Sequence, residues 1–146
     1  MLFLKTYWRF LSFGILIALF SSFGQTYFIG LFSAEIKDAF QLSHGNFGLI
    51  YSLCTLGGAI FLVWLGRLID HVDLRLWVII ISFVAIAACI IMGFTSSVYV
   101  LAVGLLLLRL SCQSLLTHTY MTSMARYFDS GRGKAISIAM LGHPLG

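Results

Sequence analysis

Arg109 is the residue with the clearest chemical demand in this sequence. It stands inside an apolar run, with the nearly all-aliphatic stretch Val98 to Leu108 before it. Behind it come Ser111, Gln113, Ser114, Thr117, His118, Thr119, Tyr120, Thr122 and Ser123, too polar a series to face lipid tails. At about 1.5 Å per residue, Arg109 lies roughly 17 Å from Val98, near the middle of a bilayer about 30 Å thick. A guanidinium at that depth cannot easily reach either interface, and charges so placed mark solute or ion paths. Arg109, Gln113, Thr117 and Tyr120 follow at intervals of four, four and three, so on an α-helix they share a face. A guanidinium fork aligned with an amide, a hydroxyl and a phenol suits a carboxylate-bearing or phosphorylated solute. The alternative is that Arg109 pairs with a carboxylate or carbonyl elsewhere and holds helices together.

Other polar residues offer less. Ser21 and Gln25 fall on one face with Phe28 and are further cavity candidates, although such side chains also serve as interhelical glue. Gly48, Ser52, Thr55 and Ala59 form a stripe of small residues that predicts close helix packing. No Asp or Glu lies in an apolar run, so no carboxylate proton relay is visible. His118 is the candidate proton carrier, against the plainer reading of a satisfied structural histidine. Cys54, Cys89 and Cys112 have no metal-ligand spacing and read as small hydrophobes. Neither a metal site, a cofactor nor a hydrolase constellation is expected.

These residues need elements to hold them, and composition says which. The chain has 146 residues, 60% hydrophobic and 10% charged, with one proline and a mean hydropathy of +1.02. A soluble domain is about a quarter charged, so this chain cannot cover its own surface with polar groups. An all-α integral membrane protein is expected, and a nucleic-acid partner is not, since the basic residues form no stripe. Helix-length apolar runs predict spans at about 10–32, 45–66, 76–94 and 98–124, with a fifth beginning at Ala135 and running to Gly146. The loop Ser33 to His44 is expected to hold an interfacial helical turn.

The cations test this map. Lys5, Arg9, Arg67, Arg75, Arg126, Arg132 and Lys134 fall on one side of the bilayer, while Lys37 alone falls on the other. The positive-inside rule then puts the N-terminus in the cytoplasm. A plasma membrane, most simply a bacterial inner membrane, is the expected location.

The second loop, Gly66-Arg67-Leu68-Ile69-Asp70-His71-Val72-Asp73-Leu74-Arg75, carries a recognisable pattern. It resembles the Gly-x-x-x-Asp-Arg-x-Gly-Arg-Arg signature between helices two and three of the major facilitator superfamily. Gly66, Asp70 and Arg75 match, whereas His71, Asp73 and Leu74 depart from it. Arg109 resembles the family's fourth-helix arginine, with Ser114 where a glycine is common. Arg126-Tyr127-Phe128 and Arg132-Gly133-Lys134-Ala135 look like the basic loop before helix five. The helix-five segment with Gly142, Pro144 and Gly146 is similar to the Gly/Pro motif of antiporters, though spaced differently.

The resemblance implies secondary transport of a small organic solute by alternating access. It implies two six-helix halves with the site between them at mid-membrane. The chain then covers part of the N-terminal half, four spans and the start of a fifth, and is expected to be inactive without the C-terminal half of the same protein. Asp70 would inherit the family's role in latching the cytoplasmic side, helped by its place at a helix end. The rival readings are a drug/proton antiporter of the same superfamily and a non-transporting membrane interaction protein.

Overall fold

The computed structural model describes residues 2–129 and 131–146, with side chains from Lys5 onward. Among the described residues, four helical stretches are long and apolar enough to cross a membrane: Lys5–Leu31, His44–Asp70, Leu74–Phe94 and Val98–Tyr127. They fall where the apolar runs predicted spans.

The first span is not continuous. Helix α1 (Leu2–Ser21) gives way to a 3₁₀ turn over Ser22–Gly24, then Gln25 is extended at φ −76° and ψ 153°, and α2 (Thr26–Leu31) resumes. The single helix expected over 10–32 is therefore corrected to two pieces. A short helix α3 (Ser33–Ala39) occupies the following loop, as the pattern there predicts.

Helix α4 (His44–Leu65) starts where the Ser43 hydroxyl accepts the Asn46 N–H, an N-cap that satisfies one orphan donor. A 3₁₀ turn over Gly66–Asp70 follows. Helix α5 (Leu74–Phe94) is capped by Asp73, whose carboxylate accepts from the Arg75 and Leu76 N–H groups at 2.8 and 3.3 Å. The fourth span joins α6 (Val98–Leu108), a π-helical segment Arg109–Leu116 and α7 (Thr117–Tyr127).

Gly131, at φ 88°, turns the chain into α8 (Arg132–Met140), and a 3₁₀ turn covers His143–Leu145. The fifth helix thus begins earlier than Ala135, and its α-helical part stops short of Gly146. Pro144 explains the stop, because its ring disfavours α geometry at the residue before it and removes a donor.

The fourth span is the hub. Leu101, Leu105, Leu108, Cys112, Leu116, Tyr120 and Met124 are buried along it, while α4 and α5 turn residues such as Leu53, Ile60, Phe83 and Ile86 outward. On α4 the packed residues are Cys54, whose thiol donates to the Ala102 carbonyl, together with Gly57 and Gly58 against Leu106 and Leu110. The small-residue stripe expected to pack is corrected: Gly48, Ser52 and Ala59 are exposed, and Thr55 alone turns inward. A buried neighbour determines which small residue matters, and periodicity on an all-apolar helix does not reveal it.

Among the glycines, Gly142 makes the tightest approach, against α1. A Cβ on Gly142 would lie 2.2 Å from the Ile15 carbonyl oxygen and 2.7 Å from the Leu19 nitrogen. Gly142→Ala should therefore lower thermal stability in detergent by about 1–3 kcal/mol, the cost of overpacking rigid atoms. Gly48→Ala, with open space around it, should leave stability unchanged or raise it by up to about 1 kcal/mol through helix propensity. Thermal midpoints of the two variants check this, and equal effects would contradict the packing.

Candidate functional site

The break in the first span and the π segment of the fourth meet. A Cβ on Gly24 would lie 2.7 Å from the Leu108 carbonyl oxygen and from the Cys112 Cβ, and 2.8 Å from the Gln113 nitrogen. Only glycine permits this approach. Interrupting the helix there frees the Gly24 carbonyl, and Arg109 takes it, its Nη1 donating at 2.8 Å. Nη1 also donates to the Thr26 hydroxyl at 3.3 Å, and Nε donates to the Thr55 hydroxyl at 3.1 Å. The Tyr51 ring lies with its centroid 4.7 Å from the guanidinium carbon, within cation–π range. The Tyr51 hydroxyl in turn donates to Thr26 at 2.8 Å.

Arg109 is 2% exposed and joins three spans through neutral groups only. The ion pairs among the described residues are Asp70 with Arg126 and Asp129 with Arg132, so its positive charge has no carboxylate partner there. Burying an ion costs several kcal/mol even after relaxation, and carbonyl and hydroxyl dipoles offset part of that cost.

The other stripe residues do not join Arg109. A π turn closes hydrogen bonds from i to i+5, so each four-residue step falls further short of a full turn than on an α-helix; Gln113 stays on the side that meets Gly24, and the offset has grown by Tyr120. Gln113 is half-buried beside Gly24. Thr117 is half-buried, and its hydroxyl is buried and unpartnered among the described residues. Tyr120 is fully buried on another side, its hydroxyl 3.2 Å from His143 Nε2. Ser21 is also fully buried and donates to its own helix at the Ala18 carbonyl, 2.7 Å away. Gln25 is half-buried at the break itself.

A second crevice lies at the end of the bundle that holds the start of α1. Its volume is about 450 Å³, and Gly66, Asp70, His118, Thr122 and Arg126 are among its walls. Asp70 forms an ion pair with Arg126, tying the second loop to the end of α7. Both side chains are about half exposed, so the pair contributes at most about 1 kcal/mol. His118 packs beside Gly66, and its Nδ1 is buried without a partner among the described residues. Arg75 is exposed, and its backbone N–H donates to Asp73.

The helix-five motif is structural as far as contacts go. Gly142 and Gly146 both lie against α1, and the carbonyl of His143 between them accepts from Ser22 at 3.2 Å and Tyr27 at 3.1 Å. Pro144 is exposed. His143 therefore links the first, fourth and fifth helices, a role unmarked by any spacing. Gly24, Thr26, Tyr51 and Thr55 are the other residues that the sequence pattern missed. Thr55 was visible only as one member of a small-residue stripe.

With this geometry in place, comparison with known proteins gives the class. The profile of the Major Facilitator Superfamily matches residues 14–146. The chain belongs to that superfamily and is a multi-pass membrane protein of a transport family. No curated protein and no solved structure gave a match to it.

The Arg109 contacts make a prediction about stability. Thr55→Val should cost about 1–2 kcal/mol, since it leaves a buried charged donor without an acceptor. Thr55→Ser, which keeps the hydroxyl, should cost clearly less. In an Arg109→Gln background the Thr55→Val penalty should shrink, because the two residues share one interaction. Thermal unfolding of the four variants measures this, and additive effects would contradict the contact.

Proposed function

We propose that the protein is a secondary transporter for a small organic anion, working by alternating access, and not an enzyme. The observation that carries this reading is the buried Arg109 guanidinium, well inside the span Val98–Tyr127 and without a carboxylate partner among the described residues. Such a charge is stabilised further by an anion. It sits where two helices are irregular, at Gln25 and at the π segment, and broken helices near the midplane are characteristic of transporter binding sites. Because Arg109 is covered, solute must reach it by movement of its neighbours. Tyr51, whose ring lies over the guanidinium, is the cover, and Gln25, Gln113 and Thr117 become solute contacts when it moves. Asp70 helps to close the cytoplasmic end, and its pairing with Arg126 holds it within this half. His118 beside that pair is the candidate proton carrier. The N-terminus lies in the cytoplasm of a bacterial inner-membrane protein, and the C-terminal half of the same protein supplies the opposite wall.

The neutral partners of Arg109 favour a second reading. Three acceptors from two other spans would let it act purely as a staple between helices.

Thermal midpoints of the detergent-purified protein separate the two. Succinate, lactate, benzoate and glycerol phosphate are added in turn, with tetraphenylphosphonium as the lipophilic-cation comparison. A bound anion at a hundred times its dissociation constant should stabilise the protein by about 2.7 kcal/mol, and Arg109→Lys should weaken that effect. No stabilisation by any anion, with Arg109→Gln simply lowering the midpoint, would support the staple. Stabilisation by the cation alone would favour a drug antiporter.

A further inference from the structure

A groove of about 650 Å³ lies well away from Arg109, where the start of α1, the start of α5 and the end of α7 converge. These three helix ends fall on one side of the bundle, since successive spans run in alternate directions. Its rim carries two guanidinium groups from distant parts of the chain, Arg9 and Arg75. Neither has a carboxylate partner among the described residues, where the ion pairs are Asp70 with Arg126 and Asp129 with Arg132. Asp73, next to Arg75 in sequence, is committed to capping α5 through Oδ1. Arg9 leans toward Trp8, at 5.6 Å from the ring centroid, and Trp8 is 58% exposed.

Beside the two arginines much of the groove's lining is apolar. Phe10 stacks on Tyr127 with centroids 4.1 Å apart, and Phe13 and Leu74 complete the floor. Two cations above an apolar wall, at the end of three membrane-spanning helices, match a particular kind of molecule. A free inorganic anion would use the cations and leave the floor unused. A phospholipid uses both, with its phosphate at the guanidinium groups and its first methylenes on the rings. The exposed tryptophan at the same level fits the headgroup boundary, where amphipathic aromatic residues collect.

We propose that the groove formed by Arg9, Phe10, Phe13, Leu74, Arg75 and Tyr127 binds the phosphate headgroup and upper acyl chain of an anionic membrane lipid. This side of the bundle carries most of the chain's cations, which is the side that faces the anionic cytoplasmic leaflet. Bound there, one lipid ties the first, third and fourth spans together at an end where Arg9 and Arg75 would otherwise repel. The proposal concerns a site remote from Arg109 and does not depend on which solute is carried.

The test uses the full chain in bilayers of phosphatidylcholine alone or mixed with phosphatidylglycerol, and reads the thermal midpoint. Phosphatidylglycerol should raise the wild-type midpoint, and inorganic phosphate added to pure phosphatidylcholine should not. In the double variant Arg9→Gln with Arg75→Gln, the phosphatidylglycerol content needed for half the shift should rise about tenfold or more. Lys37→Gln at the opposite end should keep the wild-type response. Both arginines are exposed, so the double variant should fold in phosphatidylcholine as the wild type does. The single variants, each losing part of the response, serve if it does not. An undiminished shift in all these variants, or no shift in the wild type, overturns the proposal. A shift reproduced by inorganic phosphate overturns the lipid in favour of a free-anion site.

Discussion

A backbone carbonyl inside a membrane must find a donor, and a buried guanidinium must find acceptors. In this protein each answers the other. The first span gives up its helical hydrogen bonding after Gly24, which would leave a polar group facing hydrocarbon at a cost of several kcal/mol. Arg109 from the fourth span supplies the donor, and the broken span supplies Thr26 as a second acceptor. The arrangement needs close approach, and Gly24 allows it by leaving its Cβ position to Leu108, Cys112 and Gln113. The break and the π segment thus meet at this one contact.

From this contact the rest of the bundle follows. The π segment carries its extra residue opposite the break and rotates what comes after it. Within the segment Leu110 and Ser114 face Gly58, while beyond it Thr119 accepts from the Trp77 indole at 2.9 Å, and Tyr120 meets His143. The second, third and fifth helices are thereby each given a partner on the fourth. At the other end, Gly142 and Gly146 lay the end of the chain on α1 just before the break, with Ser22 and Tyr27 bonded to His143. The buried guanidinium and the packing hub occupy the same few turns of chain. The rim at the start of α1 is separate from it, built from charges placed by helix ends.

Much of the architecture was legible because hydrocarbon imposes a simple rule. Four apolar runs had to be spans, and the loop cations alternated with them. The inward position of Arg109 followed from the cost of putting it anywhere else. Its partners did not follow. Gly24 is one of 14 glycines, and no proline or charge marks the break at Gln25. The spacing from Arg109 to Tyr120 read as one shared face, which assumes α geometry throughout, and beyond the π segment Tyr120 meets His143 instead. Ser21 read as a cavity residue because a hydroxyl in an apolar run is conspicuous, while its bond to Ala18 is invisible to composition. Asp73, where the family signature carries glycine, became intelligible once its carboxylate was seen capping α5.

The central claim is that Arg109 holds the freed carbonyl of Gly24. Gly24–Gln25 is the only Gly-Gln pair in the sequence, so carbonyl-labelled glycine with nitrogen-labelled glutamine selects that one carbonyl by solid-state NMR. Dipolar dephasing from labelled arginine side chains, measured in bilayers, then reports whether a guanidinium is in contact. The account predicts clear dephasing in the wild type and its loss in Arg109→Lys. A Gly24 carbonyl that shows no arginine contact in the wild type would contradict it.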